Sequence, residues 1–157
     1  MRTELELRGW RIAAEPELTA AAYAASARRG ATDCGCLYCA NWVAQREREL
    51  PRELRALLLR AGVDPNVEAE VWEAGRVARS EQRAFACGWW HFVGQVLERG
   101  PDGFELPSNP GAASRGWTVG IAPGQRELML STLPAEPIVQ IEFRTMLPWV
   151  LPEPVPE

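Results

Sequence analysis

The chain has 157 residues, 46% hydrophobic and 24% charged, a composition that fits one globular domain burying roughly two thirds of its unfolded surface and excludes a disordered chain. The net charge is −4 and no basic block exists beyond Arg28-Arg29 and a helix whose arginines alternate with glutamates, so a nucleic-acid-binding face is not expected. All 17 basic residues are arginine and there is one histidine, which excludes Schiff-base and phosphate-loop lysines and every metal site that needs two imidazoles.

Residues 1–12 mix charges with apolar side chains and lack the continuous apolar run of a signal peptide, and no stretch approaches a membrane span. A cytoplasmic chain with reduced thiols is expected, and no membrane partner. Residues 3–12, with Leu5, Leu7 and Trp10 in near alternation with charged residues, predict one half-buried strand. Residues 16–29 are alanine-rich, with Pro16 suited to a helix start and Gly30 to a stop.

A helix is predicted from about Cys39 to Glu49, with Trp42 and Val43 inward, and a second over 51–61 with Pro51 in its first turn. Leu54, Leu57, Leu58 and Ala61 form its buried stripe, and Gly62 supplies a left-handed stop. Asp64-Pro65-Asn66 reads as a turn and Ala69–Glu73 as a short strand with Val71 as its core residue. Glu68, Glu70 and Glu73 read as a solvated strand edge.

The longest predicted strand covers 86–98. Trp89, His91, Val93 and Gln95 share one face, and Trp90, Phe92, Gly94 and Val96 the other, so it should be central and covered on both sides. The Gly- and Pro-rich 100–116 segment predicts a mobile loop. Further strands are expected at Trp117–Ile121, Glu127–Leu130 and Ile138–Arg144, and residues 148–157 form a Pro-rich extended tail pinned by Trp149. The order predicts a single α+β domain over 1–157: an antiparallel sheet of about five or six strands with two or three helices packed on one face.

Chemistry concentrates in Cys34-Gly35-Cys36-Leu37-Tyr38-Cys39. Zinc takes four soft or borderline ligands in a tetrahedron, and Cys34, Cys36 and Cys39 can offer three sulfurs from one turn. Gly35 is expected to let the backbone fold tightly enough for Cys34 to reach, and helix-start amides near Cys39 would stabilise thiolates. The fourth ligand is expected to be His91, with Cys87 as the alternative. On a strand these two lie ~13 Å apart, so only one can belong to the site. Asp33 and Asn41 flank the ligands and are placed to orient them. The same Cys36-x-x-Cys39 at a helix start also fits a redox thiol pair, and buried cysteines without chemistry are the plain alternative. A Cys–His nucleophile pair using His91 remains open, whereas no nucleophile-elbow motif for a serine hydrolase is present. Of the seven tryptophans, most should be core; Trp89 and Trp149 are the candidates for a partner surface.

The Cys-x-Cys-x-x-Cys spacing resembles the zinc segment of the glutathione-dependent formaldehyde-activating family over those six residues; that family's second cysteine group is absent. A broader resemblance is to a group of small uncharacterised bacterial proteins. It rests on Cys34-x-Cys36-x-x-Cys39-x-Asn41-Trp42, on Gly88-Trp89-Trp90-His91-Phe92-Val93-Gly94 and on Pro148-Trp149. That resemblance implies a shared fold unit and favours His91 over Cys87 as a ligand. The expected function is a non-enzymatic binding protein with a protein partner, of the immunity or antitoxin type by class analogy, stabilised by a zinc site. The rival is an enzyme that uses the cysteine cluster as a catalytic zinc site or a redox pair.

Overall fold

The computed structural model describes residues 1–76, 83–124 and 130–156, with 73–76 as backbone only. The chain opens with a hairpin, β1 (Thr3–Leu7) against β2 (Trp10–Ala14). The expected single strand is broken because Arg8 and Gly9 both take left-handed backbone, φ 48° and 84°, the geometry of a two-residue hairpin turn. The parity of the buried positions changes there: Leu5 and Leu7 point inward before the turn, Trp10 and Ile12 after it.

Helix α1 (Pro16–Ala25) starts at Pro16 as expected but ends four residues early, where Ser26 turns extended. A 3-10 turn, Gly30–Asp33, leads to α2 (Leu37–Glu49) and α3 (Arg52–Arg60). Leu54, Leu57, Leu58 and Ala61 are all buried, each leucine contributing about 1.5–3 kcal/mol relative to an exposed position.

Strands β3 (Glu70–Arg76), β4 (Arg83–Glu98), β5 (Phe104–Leu106), β6 (Arg115–Pro123) and β7 (Ile138–Pro148) complete an open seven-stranded antiparallel sheet. Its order is β1-β2-β4-β7-β6-β5, with β3 also on β4. The fold class is the expected α+β, with β2 and β5 as strands beyond those predicted. Most of the expected Glu127–Leu130 strand lies outside the described residues; Leu130 itself is buried and not in a strand.

β4 is central, as its two apolar faces require. β7 runs along one edge, and β3 followed by β2 along the other. Between those two partners α1 serves the bare edge: Tyr23 Oη donates to His91 O (2.8 Å), Val93 N donates to Thr19 Oγ1 (3.0 Å) and Glu15 N donates to Val93 O (2.9 Å). α2 lies over the face carrying Trp90, where Trp42 stacks on Phe143 at 4.8 Å, and Phe143 meets Trp90 at 5.1 Å and Trp117 at 5.5 Å.

The 100–116 segment is tied down rather than free. Asn109 Nδ2 donates to Arg48 O and Leu50 O while its Oδ1 accepts from Arg52 N, which joins the end of α2 to the start of α3. The buried Glu49 accepts from Ala113 N and Ser114 N. Burial alone would push this carboxyl up, but those amides and Arg48 together hold it below the ordinary carboxylate value. Among the described residues no helix is long and apolar enough to cross a membrane.

Candidate metal centre

The cysteine segment is the junction between the 3-10 turn and α2. Cys34 closes the turn, its N–H donating to Ala31 O (3.2 Å). Cys36 is the N-cap of α2, and its sulfur accepts from Cys39 N at 3.3 Å. Helix periodicity then brings Cys39 back under Cys36, and the three sulfurs lie within 4.8 Å of one another. Zinc–sulfur bonds of about 2.3 Å in a tetrahedron set sulfurs about 3.8 Å apart, so closing on an ion needs a contraction of at most about 1 Å. Gly35 is not needed for this turn: its φ is not left-handed, and a Cβ there would meet nothing within 4 Å.

Cys34 and Cys36 are exposed and Cys39 is buried, and none of the chain's four cysteines is in a disulfide. The cluster separates its thiols electrically. The Cys36 backbone N–H, followed by the neighbouring thiols, lowers the Cys34 pKa below the ordinary thiol value. Burial, followed by the two adjacent sulfurs, pushes the Cys39 pKa far up. Glu70 on β3 acts against ionisation of Cys34. Three sulfurs with one thiol primed for ionisation form a soft donor set that could hold a metal ion, with proton release on binding.

What positions this segment is a buried carboxylate that the sequence reading placed in solvent. Glu68 is fully buried just ahead of β3. It accepts from Ala31 N (3.1 Å), Trp42 Nε1 (2.7 Å) and Arg46 Nη1 (2.9 Å). Arg46 also donates to Thr32 Oγ1 at 3.0 Å. The 3-10 turn and the second and third turns of α2 are thereby clamped on either side of the cysteines. Gly30 is required here, because its φ is +60° and a Cβ would collide with Glu68. The only local sign of this role is an acid between apolar Val67 and Ala69, immediately before the strand.

His91 does not join the cluster. Its side chain lies on the face of β4 opposite Trp90 and therefore opposite α2. Fully buried, it directs Nε2 at Gln140 Oε1 (2.8 Å), and Gln140 Nε2 donates on to Glu142 Oε1 (2.7 Å). That chain requires the Nε2–H tautomer and leaves Nδ1 buried with no hydrogen-bond partner. Desolvation lowers the His91 pKa, opposed by the Gln140 contact. Cys87 is buried on β4 between Trp72 and Arg144 in the strand register, also apart from the three sulfurs.

No family model, curated protein or solved structure matches this chain.

The remaining predicted residues serve other ends. Asp33 is exposed and accepts from Arg29 N (2.7 Å), holding the 3-10 turn. Asn41 is fully buried and faces the tail: its Nδ2 donates to Pro148 O and its Oδ1 accepts from Val150 N. Trp89 is half-buried in the wall of an open groove of about 490 Å³, with Trp72, Glu142, Arg144 and Thr118. Trp149 is half-buried with its ring edge-on to Tyr38.

Proposed function

We propose that this chain is a non-enzymatic binding protein in which Cys34, Cys36 and Cys39 hold one zinc ion that stiffens the start of α2. The observation that carries this reading is the mutual approach of three sulfurs to within 4.8 Å on a segment already clamped by Glu68. Clamping on both sides of the cysteines removes part of the entropy that ordering the ligands would cost and leaves the first turn of α2 as the piece the ion orders. Zinc suits thiolate ligands, and the three sulfurs leave one position of the tetrahedron for a further donor.

That remaining position is also what a catalytic zinc would use, and it supports the enzyme reading as the second choice. Against it stands the location of His91, the chain's only imidazole, on the other face of the sheet with its Nε2 committed to Gln140. The net charge of −4 disfavours a nucleic-acid partner and leaves a protein partner as the proposal. Binding of zinc at one equivalent with no hydrolytic or redox turnover of thiol, ester and peptide probes supports the proposal. Turnover that is lost on Cys34→Ser would replace it with the enzyme reading.

A further inference from the structure

Residues 148–156 close over the first turns of α2 as a strap, and we infer that strap and metal site are coupled: zinc at the three cysteines tightens the strap, and a docked strap raises zinc affinity. The inference rests on the metal reading above. Its geometric basis is Tyr38, which stands between Cys36 and Cys39 in the chain and carries the outer contacts of the strap. The Tyr38 hydroxyl donates to Pro156 O at 3.1 Å, and its ring meets Trp149 edge-on at 5.8 Å. Trp149 Nε1 in turn donates to Glu153 O at 2.6 Å, which folds the strap onto itself.

The strap is held in two parts with different dependence on the cysteines. The inner part is latched one turn further along α2, where Asn41 pairs with both Pro148 O and Val150 N, and Gln45 Nε2 donates to Pro148 O at 2.9 Å. Both side chains are buried beyond the ligand segment, so this latch stands whether or not an ion is bound. The outer part, from Trp149 to Pro156, leans on the first helical turn. Without metal that turn is secured at its start by the cap in which Cys36 Sγ accepts from Cys39 N, and first turns fray because their amides lack intrahelical partners. An ion bridging Cys34, Cys36 and Cys39 fixes the backbone of Leu37 and Tyr38 between its ligands. The Tyr38 ring then becomes a rigid seat for Trp149. Because linkage is reciprocal, whatever factor zinc adds to strap docking, the docked strap adds to zinc affinity.

The test compares zinc-loaded and metal-free full-length protein by nitrogen-15 NMR, following solvent exchange of the Trp149 indole N–H with the Val150 amide as internal control. Zinc affinity is measured in parallel by chelator competition for the wild type, Trp149→Ala and Tyr38→Phe. The expected result is that zinc slows indole exchange by at least about fivefold, leaves the Val150 amide nearly unchanged, and binds Trp149→Ala more weakly by a matching factor. Tyr38→Phe, which keeps the ring and loses one hydrogen bond, should show a smaller loss in the same direction; it decides the matter if Trp149→Ala does not fold. Zinc bound at one equivalent with indole exchange unchanged, or undiminished affinity in the folded variants, overturns the coupling and leaves the metal reading intact. Absence of zinc binding in the wild type overturns the metal reading, and the coupling with it.

Discussion

Replacing Glu68 by alanine should destabilise the whole domain. Glu68 is fully buried and accepts from Ala31 N, Trp42 Nε1 and Arg46 Nη1. Its removal leaves two buried neutral donors unpaired, each costing about 1–3 kcal/mol. It also leaves the Arg46 guanidinium without its carboxylate while only 11% of that side chain reaches solvent. Breaking a buried ion pair from one side costs about 3–5 kcal/mol, and the two estimates overlap because they share the same oxygens. A net loss of about 3–5 kcal/mol is expected, a large share of the 5–15 kcal/mol typical of a domain. Glu68→Gln keeps the shape and one acceptor but turns an amide NH₂ toward the donors, so it should cost about 2–3 kcal/mol. Urea unfolding followed by tryptophan fluorescence measures both. A loss under about 1 kcal/mol for Glu68→Ala, at unchanged m-value, would refute the clamp.

Glycine substitutions should divide sharply: Gly30→Ala costs at least about 1 kcal/mol because of its left-handed φ and the collision with Glu68, whereas Gly35→Ala is nearly neutral. Urea melts of the two variants check the contrast, and equal costs would contradict it. Chelation should lower Tm by about 5–10 °C without unfolding the protein: an ion at 100 times its Kd contributes about 2.7 kcal/mol, and a domain of this size shifts about 2–4 °C per kcal/mol. Calorimetry with and without chelator reads this directly, and unfolding at room temperature would show that the ion carries the fold. Acidification should act in two windows. His91 has a lowered folded-state pKa, so the unfolded chain binds its proton first and stability falls as pH drops below the ordinary imidazole value of about 6.5. Glu49 is also held down, so the stability it contributes at neutral pH is lost only as pH falls below the ordinary carboxyl value toward its depressed folded value. His91→Gln should remove the first window and leave the second; urea stability of both proteins measured against pH tests the assignment.

What the residue pattern made legible was whatever is set locally. The leucine stripe of α3, the two-faced apolar run of β4 and the meeting of three cysteines within six residues are all short-range consequences of 3.6- and 2-residue periods. The hairpin at Arg8-Gly9 shows in the sequence only as a change of parity of the apolar positions. Glu68 looks like an ordinary solvated acid because its partners lie 22–37 residues away along the chain. Asn41 looked like a residue that orients a metal ligand, yet its partners are Pro148 and Val150 of the tail. The chemical richness of both stretches suggests that His91 joins the cysteines, but composition carries no information about which face of a central strand a helix covers. Trp42 stacked on Phe143 puts α2 on the face of Trp90, and alternation then sends His91 to the other side.

The most direct test of the account is the metal content of protein purified without chelator, measured by elemental analysis for the wild type, Cys34→Ser, Cys39→Ser and His91→Gln. About one zinc per chain is expected in the wild type and in His91→Gln, falling to near zero in the two cysteine variants while they remain folded. A wild type without metal, or zinc that survives loss of the cysteines, would contradict the three-sulfur site; zinc lost on His91→Gln would contradict the placement of the imidazole on the far face of the sheet.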